Sequence, residues 1–344
     1  MANKLVVAPA PHVQTTQSTN VIMRDVIIAL LPALAVSTVV FGLNVLLVTA
    51  LSVACCVLFE YLIQRFLVQG PVTVGNLSAV VTGVLLAFNL PATIPWWIVV
   101  IGAFVAIAIG KMTFGGLGKN PFNPALVGRV FLLIAYPVQM TTFPMPVSGS
   151  FDALSGATPL AVVKHGAAGP DVLGVQELLL GNMPGSMGEV AALALLVAYL
   201  AGRKHKVRAF FRLLLCILCA AGGVALYFLG IYKEYFTIRD FFLIRTAGWI
   251  GLAIAAFFVL LALPLFHVLA GGALLGSIFM ATDYATSPMT VKGGVIFAVG
   301  IGVITMLIRL WGAYPEGMSF AILIMNAVVP LINKYVKPAR FGVK

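Results

Sequence analysis

Long apolar runs separated by short polar breaks dominate the chain. The first two extend from about Ile22 to Phe41 and from Val45 to about Phe66, with a minimal turn at residues 42–44 between them. Each run is long enough to supply the roughly 20 apolar residues that a helix needs to cross a bilayer. The pattern therefore predicts membrane-spanning helices from the end of the polar N-terminus onward.

The later apolar runs are less regular in length. Residues 77–88 form a run that is short for a full crossing, because a helix rises only about 1.5 Å per residue. The long run 249–280 is broken by Pro264 and by Gly271-Gly272, so it can hold two segments. The other runs cover residues 96–110, 125–136, 190–202, 210–232, 295–311 and 318–332. The pattern predicts an all-α polytopic membrane protein with about ten transmembrane helices.

Clusters of basic residues predict the orientation. Arginines and lysines are concentrated at residues 203–208, in the tail after residue 333 and more weakly near the N-terminus. Because cytoplasmic loops carry an excess of such residues, we expect all three segments to lie in the cytoplasm. One crossing separates Thr158 from the basic loop, so Thr158 is expected to face outward. The basic loop and the C-terminal tail are both expected in the cytoplasm, so the number of crossings between them must be even. Five apolar segments lie between them if the run 249–280 holds two, so one must not cross, and residues 269–281 are predicted to be a re-entrant piece.

The sequence contains a faint internal repeat, and the repeat together with the apolar runs divides the chain into five predicted parts. Residues 77–95 align with residues 270–288, and Gly83 then falls on Gly276. Two copies with an odd number of crossings would be inverted repeats, a design that places half-helices and a binding site near the bilayer midplane. Chance alignment of similar apolar helices is the alternative. The predicted parts are a polar segment 1–21, a first membrane repeat of five helices at 22–136, an outer loop at 137–188, a second membrane repeat at 189–333 and a basic cytoplasmic tail at 334–344.

The outer loop contains the stretch Ser155-Gly156-Ala157-Thr158-Pro159. Thr158 suits the N-cap of a helix, and Pro159 suits its first position because proline has no N–H to leave unpaired. Gly156 and Ala157 are small, so they are expected to leave the approach to the Thr158 hydroxyl open. Free N–H groups in a first helical turn are also a natural seat for phosphate. The residues alone favour a capped turn, with a phosphoester on Thr158 as the alternative.

Composition excludes a soluble protein. Of 344 residues, 61% are hydrophobic and 9% are charged, with a net charge of +11. An amino-acid composition this apolar lies far outside the range of soluble domains, so the chain is expected to be embedded in membrane lipid. No basic, aromatic surface suggests a nucleic-acid partner. Cys55, Cys56, Cys216 and Cys219 all lie in apolar runs, where they are expected to pack as small hydrophobes, and no metal site is predicted.

The stretch Ser155-Gly156-Ala157-Thr158 resembles the flavin-attachment motif of two related membrane subunits. They are the D subunit of the Rnf ion-translocating oxidoreductase and the B subunit of the sodium-pumping NADH:quinone oxidoreductase. The resemblance covers nearly the whole chain, and the short N-terminus is closer to the Rnf protein. It includes the stretches at residues 10–13, 24–33 and 118–124.

The resemblance implies a fold and a function. The fold would be similar to urea and ammonium channels, with two inverted halves. FMN would be esterified through its phosphate to Thr158, and riboflavin would be bound non-covalently. The chain would conduct electrons between ferredoxin and NAD, coupled to Na⁺ or H⁺ transport, in the bacterial inner membrane. Its partners would be the A, B, C, E and G subunits of the complex, which would carry the NAD and ferredoxin reactions. A small-solute channel is the alternative function.

Other polar residues have two interpretations each. Asn120 and Asn123 lie in a turn rich in glycine and asparagine at residues 115–124. They either hold the edge of a flavin or cap the helix that follows. Glu60 and Arg65 lie near a helix end, where they are expected to pair or to reach the interface. Lys164, just beyond Thr158, is expected either to offset a phosphate charge or to be solvated.

Overall fold

The structure is a computed structural model that describes residues 18–70, 72–146, 155–164, 178, 181–190, 195 and 266–337. Two long helices come first. Helix α1 (Thr19–Phe41) begins after Ser18, whose hydroxyl accepts a hydrogen bond from the amide of Val21. Helix α2 (Asn44–Leu62) continues as a π-helical segment, Ile63–Val68. The predicted turn between them is confirmed, and Gly42 adopts a φ of 81° there.

Three shorter helices follow, each close to a predicted apolar run. After a 3₁₀ turn at Val74–Asn76, the chain forms α3 (Ser78–Phe88). Helix α4 (Trp96–Phe104) continues as a π-helical segment, Val105–Ile109, and a 3₁₀ turn, Met112–Phe114. Helix α5 (Pro124–Ala135) begins at a proline, as the first position of a helix allows.

Short elements then lead into the predicted outer loop. Helix α6 (Pro137–Thr141) precedes strand β1 (Phe143–Pro144). Strand β2 (Ser155–Gly156) pairs antiparallel with β1, and helix α7 (Pro159–Lys164) follows it directly. Residues 181–190 form the last long stretch described in this half of the chain.

In the described C-terminal part, residues 266–269 are helical and three further helices follow, numbered by their order among the elements named here. Helix α8 (Ala273–Leu275) continues as a π-helical segment, Gly276–Met280. Helices α9 (Val291–Trp311) and α10 (Met318–Tyr335) are long and pack against each other. The basic loop 203–208 and the cysteines Cys216 and Cys219 lie outside the described residues.

The described helices fit a multi-pass membrane protein. Five helical segments are long and apolar enough to span a bilayer, namely Thr19–Phe41, Asn44–Val68, Trp96–Phe114, Val291–Trp311 and Met318–Tyr335. Shorter apolar helices are Ser78–Phe88 and Pro124–Ala135. The five early runs predicted from the sequence therefore correspond to three long and two short apolar helices. The total of about ten helices, the five-part division and the channel-like fold stay predictions.

Side-chain burial follows the pattern of a protein surrounded by lipid. Large apolar side chains such as Val39, Leu47 and Leu331 are exposed on the outside of the helices. Polar side chains lie inside, and the Ser52 hydroxyl donates to the carbonyl of Gly83 at 2.8 Å. A Cβ on Gly83 would lie 2.7 Å from the Cα of Val53, so α2 and α3 touch through their backbones. Small residues allow such contacts between membrane helices.

The two short helices α3 and α8 meet at their C-terminal ends. The side-chain nitrogen of Asn89, just after α3, lies 3.7 Å from the sulfur of Met280 at the end of the α8 segment. The helix Ala273–Met280 falls within the range 269–281 that was predicted to be a re-entrant piece. Both helices are shorter than a bilayer crossing. The inverted repeat itself stays a prediction.

Candidate functional site

Thr158 lies at the junction between the β-hairpin and helix α7. Ser155 and Gly156 pair with Pro144 and Phe143, so the motif is held next to the strand that follows α6. The Thr158 hydroxyl accepts a hydrogen bond from the amide of Ala161 at 3.3 Å, as an N-cap side chain does. The predicted helix start at Pro159 is confirmed.

The Thr158 side chain is covered rather than open. This residue is only 3% exposed, whereas Ser155 and Ala157 beside it are exposed. The expectation of an open hydroxyl is wrong in this conformation. The physical reason is that Pro159 and Leu160, which follow it, are buried and draw the start of α7 into the molecule.

The first turn of α7 rests on the chain that leads into α8. A Cβ on Gly271 would lie 2.6 Å from Cδ1 of Leu160, so the leucine sits directly on this glycine. Gly271 also has a φ of 74°, a conformation that favours glycine. The loop that carries Thr158 is therefore in contact with the entry to a short helix of the other half of the chain.

Lys164, the last residue of α7, contacts backbone carbonyls of a distant turn. Its ammonium group donates a hydrogen bond to the carbonyl of Gly312 and another, of 3.0 Å, to the carbonyl of Tyr314. Partial burial lowers the pKa of this ammonium group below its ordinary value. Lys164 is thus not freely solvated, and the offset of a phosphate charge by this residue stays a prediction. His165 lies outside the described residues.

Asn120 and Asn123 are both buried, at 4% and 3% exposure, but they have different tasks. The side-chain oxygen of Asn123 accepts hydrogen bonds from the amides of Ala125 and Leu126 and so caps α5. The side-chain nitrogen of Asn120 donates to the carbonyl of Phe122 at 2.9 Å. Its side-chain oxygen has no hydrogen-bond partner among the described residues. Capping is therefore shown for Asn123, and Asn120 retains an unused acceptor.

The structure does not bring the two asparagines together with the Thr158 motif. Asn123 precedes the first residue of α5, and the β-hairpin follows the last. Helix α5 has 12 residues, which at about 1.5 Å per residue gives a length of about 18 Å. Asn123 and the Thr158 loop contact different ends of the α8 segment, since the side-chain nitrogen of Asn123 donates to the carbonyl of Met280 at 3.5 Å and Leu160 sits on Gly271.

A buried ion pair was missed by the sequence reasoning. The Lys111 ammonium lies 2.5 Å from a Glu60 carboxylate oxygen and also donates to the Ser78 hydroxyl at 2.6 Å. Both charged side chains are almost fully buried. The expectation that Glu60 pairs with Arg65 or reaches the interface is wrong, because Glu60 faces the interior of the bundle while Arg65 is exposed.

A second group of buried charges lies around α8. The Arg129 guanidinium forms an ion pair with Glu316 and donates to the side-chain oxygen of Asn89 at 2.6 Å. Arg309 donates to the backbone carbonyls of His267 and Ala270. The signal that could have found these arginines is a charged residue inside an apolar run, which marks a functional or pairing position by default.

Together these features define the class of the protein. It is a multi-pass α-helical membrane protein with charged residues paired in its interior and a capped threonine in a hairpin loop. Among the residues that the structure describes, no three His, Cys, Asp or Glu side chains are grouped closely enough to hold a metal ion.

The chain belongs to the NQR2, RnfD, RnfE family, whose model matches residues 6–342. It is 45% identical over 343 residues to the D subunit of the Na⁺-translocating ferredoxin:NAD⁺ oxidoreductase complex of Acetobacterium woodii, covering 98% of this chain and 96% of the relative. It is 37% identical over 354 residues to the D subunit of the proton-translocating complex of Clostridium ljungdahlii, covering 99% and 97%. The D subunit of an ion-translocating oxidoreductase complex from Vibrio cholerae is 34% identical over 353 residues, covering 98% and 99%. The resemblance inferred from the motifs is confirmed.

Proposed function

We propose that this chain is the D subunit of an ion-translocating ferredoxin:NAD⁺ oxidoreductase complex and that it carries FMN on Thr158. The observation that carries the proposal is the placement of Ser155-Gly156-Ala157-Thr158 at a hairpin–helix junction in a member of this family. Similarity over nearly the full length of subunits named for this reaction supports the role. The chain itself would conduct electrons, and partner subunits would react with ferredoxin and NAD.

The residues around Thr158 fit a phosphoester. An ester oxygen keeps lone pairs, so the hydrogen bond from the Ala161 amide to the Thr158 oxygen can persist after attachment. Ser155 and Ala157, which precede Thr158 in the motif, are exposed. When bound, FMN supplies the electron chemistry, and the protein fixes its position and surroundings.

The burial of Thr158 adds a condition to this proposal. A hydroxyl that is covered in the packed loop cannot meet a flavin-transferring enzyme in that conformation. Attachment would take place before α7 packs, or while it is displaced. Displacing α7 would break the contacts that Leu160 and Lys164 make with the rest of the protein.

The remaining parts of the proposal rest on the family. Riboflavin would be a second, non-covalent cofactor, and Asn120 with its unused acceptor is a candidate contact for it or for FMN. The coupled ion would be Na⁺ or H⁺, since the relatives named above include both types. The chain would lie in the bacterial inner membrane with the Thr158 loop outward, bound to the A, B, C, E and G subunits.

Replacing Thr158 tests the cofactor. The Thr158→Val variant removes the hydroxyl and should abolish covalent FMN, while it costs a cap contact of about 1 kcal/mol. Thr158→Ser keeps the oxygen and should retain part of the flavin. Thr141→Val, which alters an exposed threonine nearby, is the matched control and should keep all of it. Mass spectrometry of the peptide 151–164 and ferredoxin-dependent NAD⁺ reduction by the complex are the measurements.

The outcome that contradicts the proposal is equally specific. An unmodified Thr158 in protein from its native host, with flavin attachment active, would refute the assignment.

A further inference from the structure

Helix α7 is attached to the rest of the protein at both of its ends. At its start, Leu160 sits on Gly271, just before α8. At its end, Lys164 donates to the carbonyls of Gly312 and Tyr314. These two carbonyls belong to the turn between α9 and α10, so α7 is connected to the entry of α8 and to the α9–α10 turn.

The hydrogen bonds of Lys164 can hold the C-terminal end of α7 in one position. Its two acceptors lie 148 and 150 residues further along the chain, so the contact is tertiary and not a local feature of the helix. Hydrogen bonds from an ammonium group are shorter and stronger than those between neutral groups. Both acceptors are backbone atoms, whose positions are set by the helices on either side.

A six-residue helix has little stability of its own. Its orientation must therefore come from its tertiary contacts, and Lys164 provides the contact at the end away from Thr158. A group esterified to Thr158 would inherit its position from α7. A shift of this helix would move the group relative to the next electron carrier.

We propose that Lys164 is a positioning residue that fixes the Thr158-bound flavin by holding α7 on the α9–α10 turn. This inference rests on the proposed attachment of FMN to Thr158. In this role the lysine orients α7 through its hydrogen bonds and does not act by neutralising the flavin phosphate. The ammonium group is already used by two carbonyls, which supports this role.

Three variants of the full-length chain test this inference, first in lipid nanodiscs and then in the assembled complex. Lys164→Met keeps an unbranched apolar stem and removes the donors. Lys164→Arg keeps donors and charge. Lys292→Met, at the exposed start of α9 and at the other end of that helix from Gly312, is the matched control.

Time-resolved fluorescence anisotropy of the covalent flavin measures its rotational freedom after non-covalent flavin has been removed. We expect Lys164→Met to gain a fast depolarisation component that is absent from the wild type, Lys164→Arg and Lys292→Met. Ferredoxin-dependent NAD⁺ reduction by the complex should fall roughly 10- to 100-fold in Lys164→Met, because small displacements of a reacting group are costly. Lys164→Arg should restore most of the rate.

Two results would overturn the inference. One is FMN in Lys164→Met with unchanged anisotropy and unchanged electron transfer. The other is a shifted flavin midpoint potential with unchanged rotational freedom, which would show that the lysine acts through its charge. Absence of FMN from the wild-type peptide 151–164 would instead contradict the proposed function, so the two failures are distinguishable.

Discussion

At the scale of single residues, the pair Glu60–Lys111 shows how this protein places charge inside an apolar bundle. Lys111 contacts both the Glu60 carboxylate and the Ser78 hydroxyl. Gln64 adds a weaker hydrogen bond of 3.3 Å to the same carboxylate. Desolvating two charges is costly, and their attraction together with these extra hydrogen bonds offsets that cost only while both partners are present.

Removing one partner of this pair should therefore cost more than removing both. Lys111→Met leaves the Glu60 carboxylate buried without its partner and should destabilise the protein by about 3–5 kcal/mol. The double variant Glu60→Gln with Lys111→Met should recover most of that loss. Unfolding of the purified protein by titration with a denaturing detergent measures both, with Lys119→Met at an exposed position as the control.

Equal stability of the single and double variants would contradict this account. It would mean that solvent or lipid head groups reach the Glu60 carboxylate when Lys111 is gone.

The same scale shows what one sequence can and cannot predict about a site. Local spacing identified Thr158 as the residue before a helix, because the cap and the proline act within a few positions. Its burial depends on the contact between Leu160 and Gly271, which are distant in sequence. The partner of Lys164 was missed for the same reason, since a backbone carbonyl has no residue-type signal.

At the scale of elements, the start of helix α5 is determined by the residues at its N-terminal end. Asn123 caps it and Pro124 occupies its first position. The predicted run began at Ala125, one residue inside the observed helix. The run 77–88 likewise corresponds to α3, Ser78–Phe88. Hydrophobic runs locate such helices well because lipid allows few polar residues between their ends.

The cap of α5 makes a prediction that separates the two interpretations of Asn123. Asn123→Ala removes the acceptor for the amides of Ala125 and Leu126 and should cost about 1 kcal/mol. Asn123→Ser keeps a hydroxyl acceptor and should cost much less. Thermal unfolding of the purified protein and its flavin content after extraction are the two measurements.

Loss of flavin from Asn123→Ala with unchanged thermal stability would reverse this conclusion. It would assign Asn123 to the cofactor and not to the helix.

At the scale of the whole molecule, the orientation in the membrane can be tested at exposed positions. Ser155 and Lys119 are exposed and are separated by helix α5, whereas Thr158 is too buried for labelling. In a background without the four native cysteines, Ser155→Cys should react with an impermeant maleimide on spheroplasts, and Lys119→Cys should not. The basic clusters are the reason for this expectation.

Permeabilised membranes provide the control, because both cysteines should then react. Labelling of Lys119→Cys alone on intact spheroplasts would show that the predicted orientation is inverted.

Hydrophobic pattern and charge were sufficient to predict the class of the molecule, the early helices and the short helix at Ala273–Met280. They could not predict which helices meet. Arg129 and Glu316 are 187 residues apart, and no periodicity indicates that they pair. The interior charges are therefore the part of the structure that depends most on tertiary packing.

The contact between Asn89 and Met280 also has a consequence for how the protein is made. These residues are 191 positions apart, so at about 5–20 residues per second the ribosome needs on the order of 10 to 40 s to travel from one to the other. During that interval α3 is already in the membrane without the partner that covers its end. Arg129 is likewise made before Glu316, and until Glu316 is made it can donate its hydrogen bond to Asn89 but has no carboxylate partner. The centre of the protein closes only when the last quarter of the chain has left the ribosome, which makes it a late step of biosynthesis.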